Sequence, residues 1–199
     1  GIAHVFAMNG HKVNLVDVSQ DALDLAIANI SKNLDRMVSK GLLTEAGYGE
    51  MLRWTTKLNV TGARLAEMEG VHAVTDVTGF GLAGHLLEIC RGSKLSASVE
   101  FGRLPLIEEA VRHVKAGIST GASVRNWNGY GTDVKGMEDD AAGEWRRKMV
   151  TDPQTSGGLL VAGAADAAEE VLAAFRADGF AEAAIVGNME AGVPRVKIL

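Results

Sequence analysis

The pattern of apolar and polar positions is most informative around residue 76. An apolar segment, 71–76, is typical of a strand and ends in an acid, Asp76. A turn containing Gly79 and Gly81 follows, and an amphipathic segment then predicts a helix to about Arg91. A strand, turn and helix of this kind bring a carboxylate and free backbone N–H groups to one point, which suits a metal ion beside a phosphate.

Helical and strand-like periodicities continue to the end of the chain. Apolar positions at helical spacing predict five further helices, at 46–57, 63–66, 105–114, 144–150 and 168–179. Alternating or continuous apolar runs predict four further strands, at 94–101, 159–162, 183–187 and 194–199. Pro194 places the last strand at a sheet edge, whereas the polar, glycine-rich residues 118–140 predict a long loop. Interleaved helices and strands indicate an α+β fold, an α/β layer with helices on one face.

The first 41 residues have a pattern of their own, which predicts a helix, a strand and a second helix. The strand, 13–18, is short and mostly apolar, as in a parallel sheet, and Asp17 lies near its end. We therefore predict two domains, 1–41 and 42–199. The first lacks a closing βαβ unit, so its apolar helix faces need another surface against which to be buried.

Composition limits the possible function classes. The 199 residues carry a formal net charge of −5, which does not indicate a nucleic-acid partner. Cys90 is the single cysteine, so an internal disulfide framework is excluded and a reducing, cytoplasmic compartment is favoured. No apolar run approaches the roughly 20 residues of a membrane span, and Gly1 is not followed by the basic segment of a signal peptide. We expect no membrane partner, and we expect that the sequence starts inside a domain.

Outside the turn that follows Asp76, few residues indicate chemistry. Residues 152–158 form a predicted turn that either lines a phosphate site or only lets the chain enter a strand, and both interpretations stay open. His85 and Cys90 lie on the helix after the first turn, where packing or hydrogen bonding is favoured over catalysis. Residues 125–128 combine a cation, two amides and an aromatic ring, and we favour a solvated loop over a nucleotide contact.

Four motifs in the second predicted domain occur together in one protein family. They are TTKLN at 55–59, GVHAVTDVTGFGLAGH at 70–85, the segment 117–126, and DPQTSGGLL at 152–160. From about residue 42 to the end, the chain resembles the C-terminal domain of selenide, water dikinase (selenophosphate synthetase). That domain belongs to the aminoimidazole ribonucleotide synthetase superfamily, and the resemblance implies its fold.

The resemblance also implies an activity and a set of site residues. The family is an ATP-dependent phosphotransferase that converts selenide, ATP and water to selenophosphate, AMP and orthophosphate, with Mg²⁺ ions bridging the phosphates of ATP. Asp76 matches a metal ligand of the family. The cofactor-binding residues that we place on the phosphate side are Thr78, Gly79, Gly81 and Asp152.

Other parts of the family's machinery have no match in this sequence. The nucleophilic Cys or selenocysteine, its partner Lys and the glycine-rich ATP loop belong to an N-terminal half that is not recognisable here. We therefore assign no catalytic residue and expect no catalysis by this chain alone. Because the family builds its homodimer largely through that half, we expect this chain to be a monomer.

Residues 1–40 instead resemble the start of 3-hydroxyacyl-CoA dehydrogenases. Asp17 matches the acid that binds the adenosine ribose of NAD, and Gly1 matches the last glycine of the fingerprint. The first strand and the other glycines have no match, so we expect an incomplete Rossmann-like fragment that does not bind NAD, with Asp17 only favoured by a nearby helix start. A fragment of an NAD-dependent 3-hydroxyacyl-CoA dehydrogenase and a noncatalytic fusion module remain the alternative functions, and we favour a truncated or chimeric gene product.

Overall fold

The structure is a computed structural model, and it describes residues 49–50, 53–55, 57–137 and 140–199. The chain divides into two compact units, Gly1–Leu58 and Asn59–Leu199. In the first unit the described residues 49–50 and 53–55 are helical, in agreement with the helix predicted over 46–57. The predicted Rossmann-like fragment, Asp17 and the predicted boundary after residue 41 lie outside the described residues and stay predictions.

The second unit contains two sheets. Its strands are β1 (Val71–Asp76), β2 (Leu95–Val99), β3 (Val134–Lys135), β4 (Leu159–Gly163), β5 (Gly187–Ala191) and β6 (Val196–Ile198). Strands β1 and β4 form an antiparallel pair in which Asp76 lies opposite Leu159. The other sheet has the order β3-β6-β2-β5, with β5 antiparallel to β2 and with β6 parallel to both β2 and β3.

Helices alternate with these strands along the chain. They are α1 (Thr61–Leu65), α2 (Gly81–Ser93), α3 (Glu108–Lys115), α4 (Gly121–Tyr130), α5 (Ala141–Thr151) and α6 (Ala168–Ala177), with short 3₁₀ turns at Phe101–Arg103, Gly131–Asp133 and Ala165–Ala167. Thr120 and Asp140 cap α4 and α5, because their side chains accept hydrogen bonds from the free backbone N–H groups of the first turns. The mixture of helices and sheets confirms the predicted α+β class.

Two hydrophobic clusters hold this unit together. In the larger one, α2 lies against the four-stranded sheet, and its buried Leu87 and Cys90 pack with Val99 and Val196 of that sheet. The smaller cluster joins α1 to α6 around Leu65, which is fully buried. Because α2 follows directly on β1, its burial fixes the position of the turn between them.

The loop predicted over 118–140 is wrong, because this segment contains α4, a 3₁₀ turn and β3. The hydroxyl of Thr120 accepts a hydrogen bond from the N–H of Ser123 at 3.2 Å and starts the helix. Ser123, Trp127 and Tyr130 then form the face that packs inward. A serine and two amphipathic aromatic residues do not form a recognisable apolar stripe in the sequence, although their spacing is helical. Residues 125–128 therefore lie on a helix and not in a solvated loop.

Two element boundaries also differ from prediction. Helix α3 begins at Glu108 and not at Pro105, because Ile107 is extended and the acids of the first turn favour the helix start. The strand predicted at 183–187 begins only at Gly187, where a Cβ would overlap the carbonyl oxygen of Ser98 on β2.

The last strand, β6, lies inside its sheet, so the edge position predicted from Pro194 is wrong. Pro194 precedes β6 (Val196–Ile198), and its missing N–H therefore removes no hydrogen bond from the ladder. The two edges of the four-stranded sheet are β3 and β5.

Candidate functional site

Two loops meet at the end of the β1–β4 pair. Because these strands are antiparallel, the loop that leaves β1 (residues 77–81, the glycine turn) lies at the same end as the loop that enters β4 (residues 152–158, the Asp-Pro loop). The N–H of Val77 donates to the carbonyl oxygen of Gly158 at 2.9 Å, and the N–H of Gln154 donates to that of Thr78 at 3.0 Å. Two motifs that are distant in sequence therefore form one surface.

The contact between the loops depends on a glycine. A Cβ at Gly157 would overlap the carbonyl oxygen of Val77, so the two backbones approach more closely than any side chain permits. The amide of Asn59 donates to the carbonyl oxygen of Gly157 at 2.9 Å and holds the loop from the other side.

The two glycines of the glycine turn have different surroundings. Gly81 has a φ of +68°, and a Cβ there would lie 2.7 Å from the carbonyl carbon of Thr151. The space beside Gly81 is therefore filled by the end of α5. Gly79 is exposed, and a Cβ there would meet nothing within 4 Å. Of these two predicted phosphate-side residues, Gly79 is the one that a ligand can approach.

Asp76, the predicted metal ligand, ends β1 beside this surface. Its side chain is exposed, and among the described residues neither an ion pair nor a side-chain hydrogen bond occupies its carboxylate. The part of the chain that the structure describes contains no group of three His, Cys, Asp or Glu side chains that could hold a metal ion. One free carboxylate fits Mg²⁺ in its usual protein environment, where one or two carboxylates are combined with phosphate oxygens and water.

Asp152, placed on the phosphate side by the sequence, is engaged within the protein. It ends α5, and its carboxylate accepts hydrogen bonds from the hydroxyl of Thr120 at 3.4 Å and the amide of Gln154 at 3.1 Å. Burial raises the pKa of this carboxyl group, and the two hydrogen bonds partly offset that effect. An ionised carboxylate has no hydrogen to donate to a phosphate, so this geometry favours a structural role for the Asp152 side chain, whereas Thr155 and Ser156 of the same loop are exposed.

Asn126, which the sequence placed in a solvated loop, belongs to this surface, and its role there was not predicted. Its amide donates to the carbonyl oxygens of Gly79 at 2.9 Å and of Thr151 at 3.0 Å, and it thereby ties the glycine turn to the end of α5. The signal that could have revealed it is Thr120 as a helix cap, since a helix from there directs Asn126 and Tyr130 to one side.

Tyr130 reaches the same turn from α4. Its hydroxyl donates to the carbonyl oxygen of Phe80, and the N–H of Gly84 lies beside the phenol oxygen. Burial raises the pKa of Tyr130 to about 12, although the Gly84 N–H acts in the opposite direction. The phenol is therefore neutral near pH 7 and serves as a hydrogen-bond donor to the turn.

His85 and Cys90, for which the sequence favoured packing or hydrogen bonding over catalysis, are both buried on α2. His85 hydrogen-bonds to Thr78 and Glu88. The thiol of Cys90 contacts the carbonyl oxygen of Arg195 at 3.6 Å, and burial raises its pKa, so it is a poor nucleophile. No helix among the described residues has both the length and the apolar character needed to cross a membrane.

Comparison with known proteins supports the motif analysis. The family model described as "AIR synthase related protein, C-terminal domain" matches residues 31–198. The chain is 50% identical over 166 residues to a selenide, water dikinase of Paraburkholderia xenovorans (strain LB400), which covers 83% of this chain and 46% of that protein. A protein of the same name from Burkholderia ambifaria (strain MC40-6) is 51% identical over 165 residues, which are 83% of this chain and 46% of that protein. Another from Pseudomonas straminea is 48% identical over 163 residues, which are 82% of this chain and 45% of that protein. The chain thus spans about half the length of the curated relatives it matches.

Proposed function

We propose a function for this chain from one premise, that it belongs to the family of AIR synthase related proteins through its C-terminal domain. The proposal is that the chain acts as the C-terminal part of a selenide, water dikinase, in which selenide, ATP and water give selenophosphate, AMP and orthophosphate. The observation that carries it is the identity of about half of all aligned residues to relatives of that name, over a match that includes both loops.

In this proposal the surface formed by the two loops faces the phosphates of ATP. Asp76 would hold a Mg²⁺ ion, whose charge would neutralise phosphate oxygens during transfer. Gly79 would allow close approach, and the exposed hydroxyls of Thr155 and Ser156 would be available as hydrogen-bond donors. Asp152 would act indirectly by holding Thr120 and Gln154. The support for these roles is the open space at Gly79 and the Asp76 carboxylate, which has no ion pair or side-chain hydrogen bond among the described residues.

The transfer step needs groups that the two loops do not contain. Residues 77–81 and 152–158 include no Lys, Arg, His or Cys, so neither a cationic clamp nor a nucleophile is present in them. We therefore propose that catalysis requires an N-terminal part such as the relatives have, that this chain alone is inactive and monomeric, and that it acts in the cytoplasm.

The test is an assay in which this chain is mixed with the N-terminal half of the Paraburkholderia xenovorans relative. Selenide-dependent formation of AMP and selenophosphate is followed by ³¹P NMR. We expect activity from the mixture and none from either part, and we expect Asp76→Asn to abolish it. Asp166→Asn is the matched control, because Asp166 is also exposed and beside a helix start but lies away from both loops. No activity with this chain, where the C-terminal half of the relative does restore it, would refute the proposal.

The resemblance of residues 1–40 to 3-hydroxyacyl-CoA dehydrogenases stays a separate prediction. The family match starts at residue 31 and therefore includes the last part of the predicted first domain. NAD binding is not expected, and titration of NADH fluorescence with the whole chain tests this. An enhancement that saturates at micromolar NADH, and that is lost in Asp17→Ala, would favour the dehydrogenase alternative.

A further inference from the structure

His85 connects the glycine turn to an exposed acid on α2. It is 8% exposed. Its Nε2 lies 3.1 Å from the hydroxyl oxygen of Thr78, and its Nδ1 lies 2.9 Å from a carboxylate oxygen of Glu88. The Phe80 ring packs beside it, with the two ring centres 5.6 Å apart. The imidazole is therefore held at both nitrogens and on one face.

The partners of the two nitrogens determine where the protons lie. An ionised Glu88 carboxylate can only accept a hydrogen bond, so Nδ1 must carry the proton that it shares with Glu88. In a neutral imidazole Nε2 is then the acceptor, and the only hydrogen that can fill the 3.1 Å contact is that of the Thr78 hydroxyl. In that state the hydroxyl oxygen of Thr78 offers only its lone pairs. It can therefore accept a hydrogen bond from a group outside the protein but cannot donate one.

We propose that His85 is a positioning residue that turns the hydroxyl of Thr78 into an acceptor directed at the cation held by Asp76. This inference rests on the proposed function, and it moves Thr78 from the phosphate side, where the sequence placed it, to the cation side. A phosphate oxygen needs a donor, which Thr78 cannot supply while its hydrogen is bonded to His85. Mg²⁺ usually retains several water molecules, and their hydrogens need acceptors such as Thr78, two residues beyond Asp76.

The proton position can be tested without any metal, by ¹⁵N NMR of the imidazole nitrogens of His85 in the whole chain. We expect a protonated Nδ1 and an unprotonated Nε2. Glu88→Gln should shift the population toward protonated Nε2, because the Gln amide can also donate to Nδ1; Glu169→Gln, another exposed glutamate on a helix, should leave it unchanged. A protonated Nε2 in the unmodified chain would overturn the inference.

The cation side is tested with Mn²⁺ as the probe, from the paramagnetic broadening of the Gly79 amide signal. We expect Thr78→Val to weaken the apparent Mn²⁺ affinity about tenfold, because one hydrogen bond to a cation-bound water is lost, and we expect Thr78→Ser to retain it. If Asp76→Asn removes the broadening but Thr78→Val does not weaken it, the inference is overturned while the proposed function stands. If Asp76→Asn has no effect, the metal role of Asp76 in the proposed function fails, and the assignment of Thr78 to the cation side fails with it.

Discussion

Replacing Gly157 with alanine tests the contact on which the candidate site depends. The new Cβ would overlap the Val77 carbonyl oxygen, which is backbone and cannot rotate away, so the two loops must separate. Separation strains the bond from the Val77 N–H to Gly158, 2.9 Å long, and the bond from Asn59 to Gly157. Steric displacement in a packed site costs about 1–3 kcal/mol, and each of the two weakened hydrogen bonds costs about 0.5–1.5 kcal/mol. We therefore expect Gly157→Ala to lower the free energy of unfolding by about 2–6 kcal/mol.

Gly158→Ala provides the matched control for this substitution. Neither glycine has a positive φ, so the same residue type in the same loop is changed without backbone strain in either case. A Cβ at Gly158 meets nothing within 4 Å. Its effect on the free energy of unfolding should therefore stay within about 1 kcal/mol, and it should be slightly stabilising because alanine reduces the entropy of the unfolded chain.

Urea unfolding followed by tryptophan fluorescence gives the two free energies, and hydrogen exchange of the Val77 amide localises the effect. We expect faster exchange of this amide in Gly157→Ala and unchanged exchange in Gly158→Ala. Equal destabilisation by both substitutions would refute the reasoning, since the close approach at Gly157 would then not be what distinguishes the two positions.

Three further predictions concern the surroundings of the two loops and one ion pair. Asn126→Ala should cost about 1–3 kcal/mol in urea unfolding, because two backbone carbonyl oxygens lose their donor, whereas the exposed Asn128→Ala should cost little. The pKa of Tyr130 is raised to about 12, so its contribution to stability is complete below pH 10 and is lost as the pH rises toward 12. The melting temperature of Tyr130→Phe should therefore depend less on pH between 10 and 12 than that of the unmodified chain. Hydrogen bonds from Thr61 and Arg64 lower the pKa of Asp178 below 3.8, so its contribution to stability is present above pH 3.8 and is lost in more acidic solution. The stability of Asp178→Asn should therefore fall less steeply as the pH drops below 3.8. The same pH dependence in both proteins would contradict this.

The parts of the fold that the sequence predicted correctly are determined by residues close together in the chain. The strand Val71–Asp76 and helix α2 follow from an apolar run, two glycines and an apolar stripe, all within one segment. The same holds for the strand that starts at Leu159 and for the Asp-Pro loop before it. Periodicity predicts these elements because their burial depends on one continuous face.

The errors arise where distant residues decide the structure. Helix α4 was predicted as a loop because its inward face carries Ser123, whose hydroxyl hydrogen-bonds to Thr151 at 2.6 Å, a contact that no local pattern indicates. Strand β5 begins at Gly187 because the backbone of β2 approaches there. Pro194 suggested an edge, although the ladder of β6 starts beyond it.

The same distinction limits how much of the candidate site could be predicted. Asp76 and Gly79 belong to one local strand–turn segment, so their position at an open surface was predictable. The partners of Asp152 and Asn126 follow only from the pairing of β1 with β4 and from the packing of α4 on α5, and the sequence did not indicate them. These long-range contacts use the Asp152 carboxylate for the protein itself. The Asp76 carboxylate has no ion pair or side-chain hydrogen bond among the described residues, and neither loop contains a cationic side chain to balance its charge. Two carboxylates that looked equivalent in the sequence are therefore distinct: a bound cation would relieve the charge of Asp76, whereas removal of Asp152 would first disturb the loop.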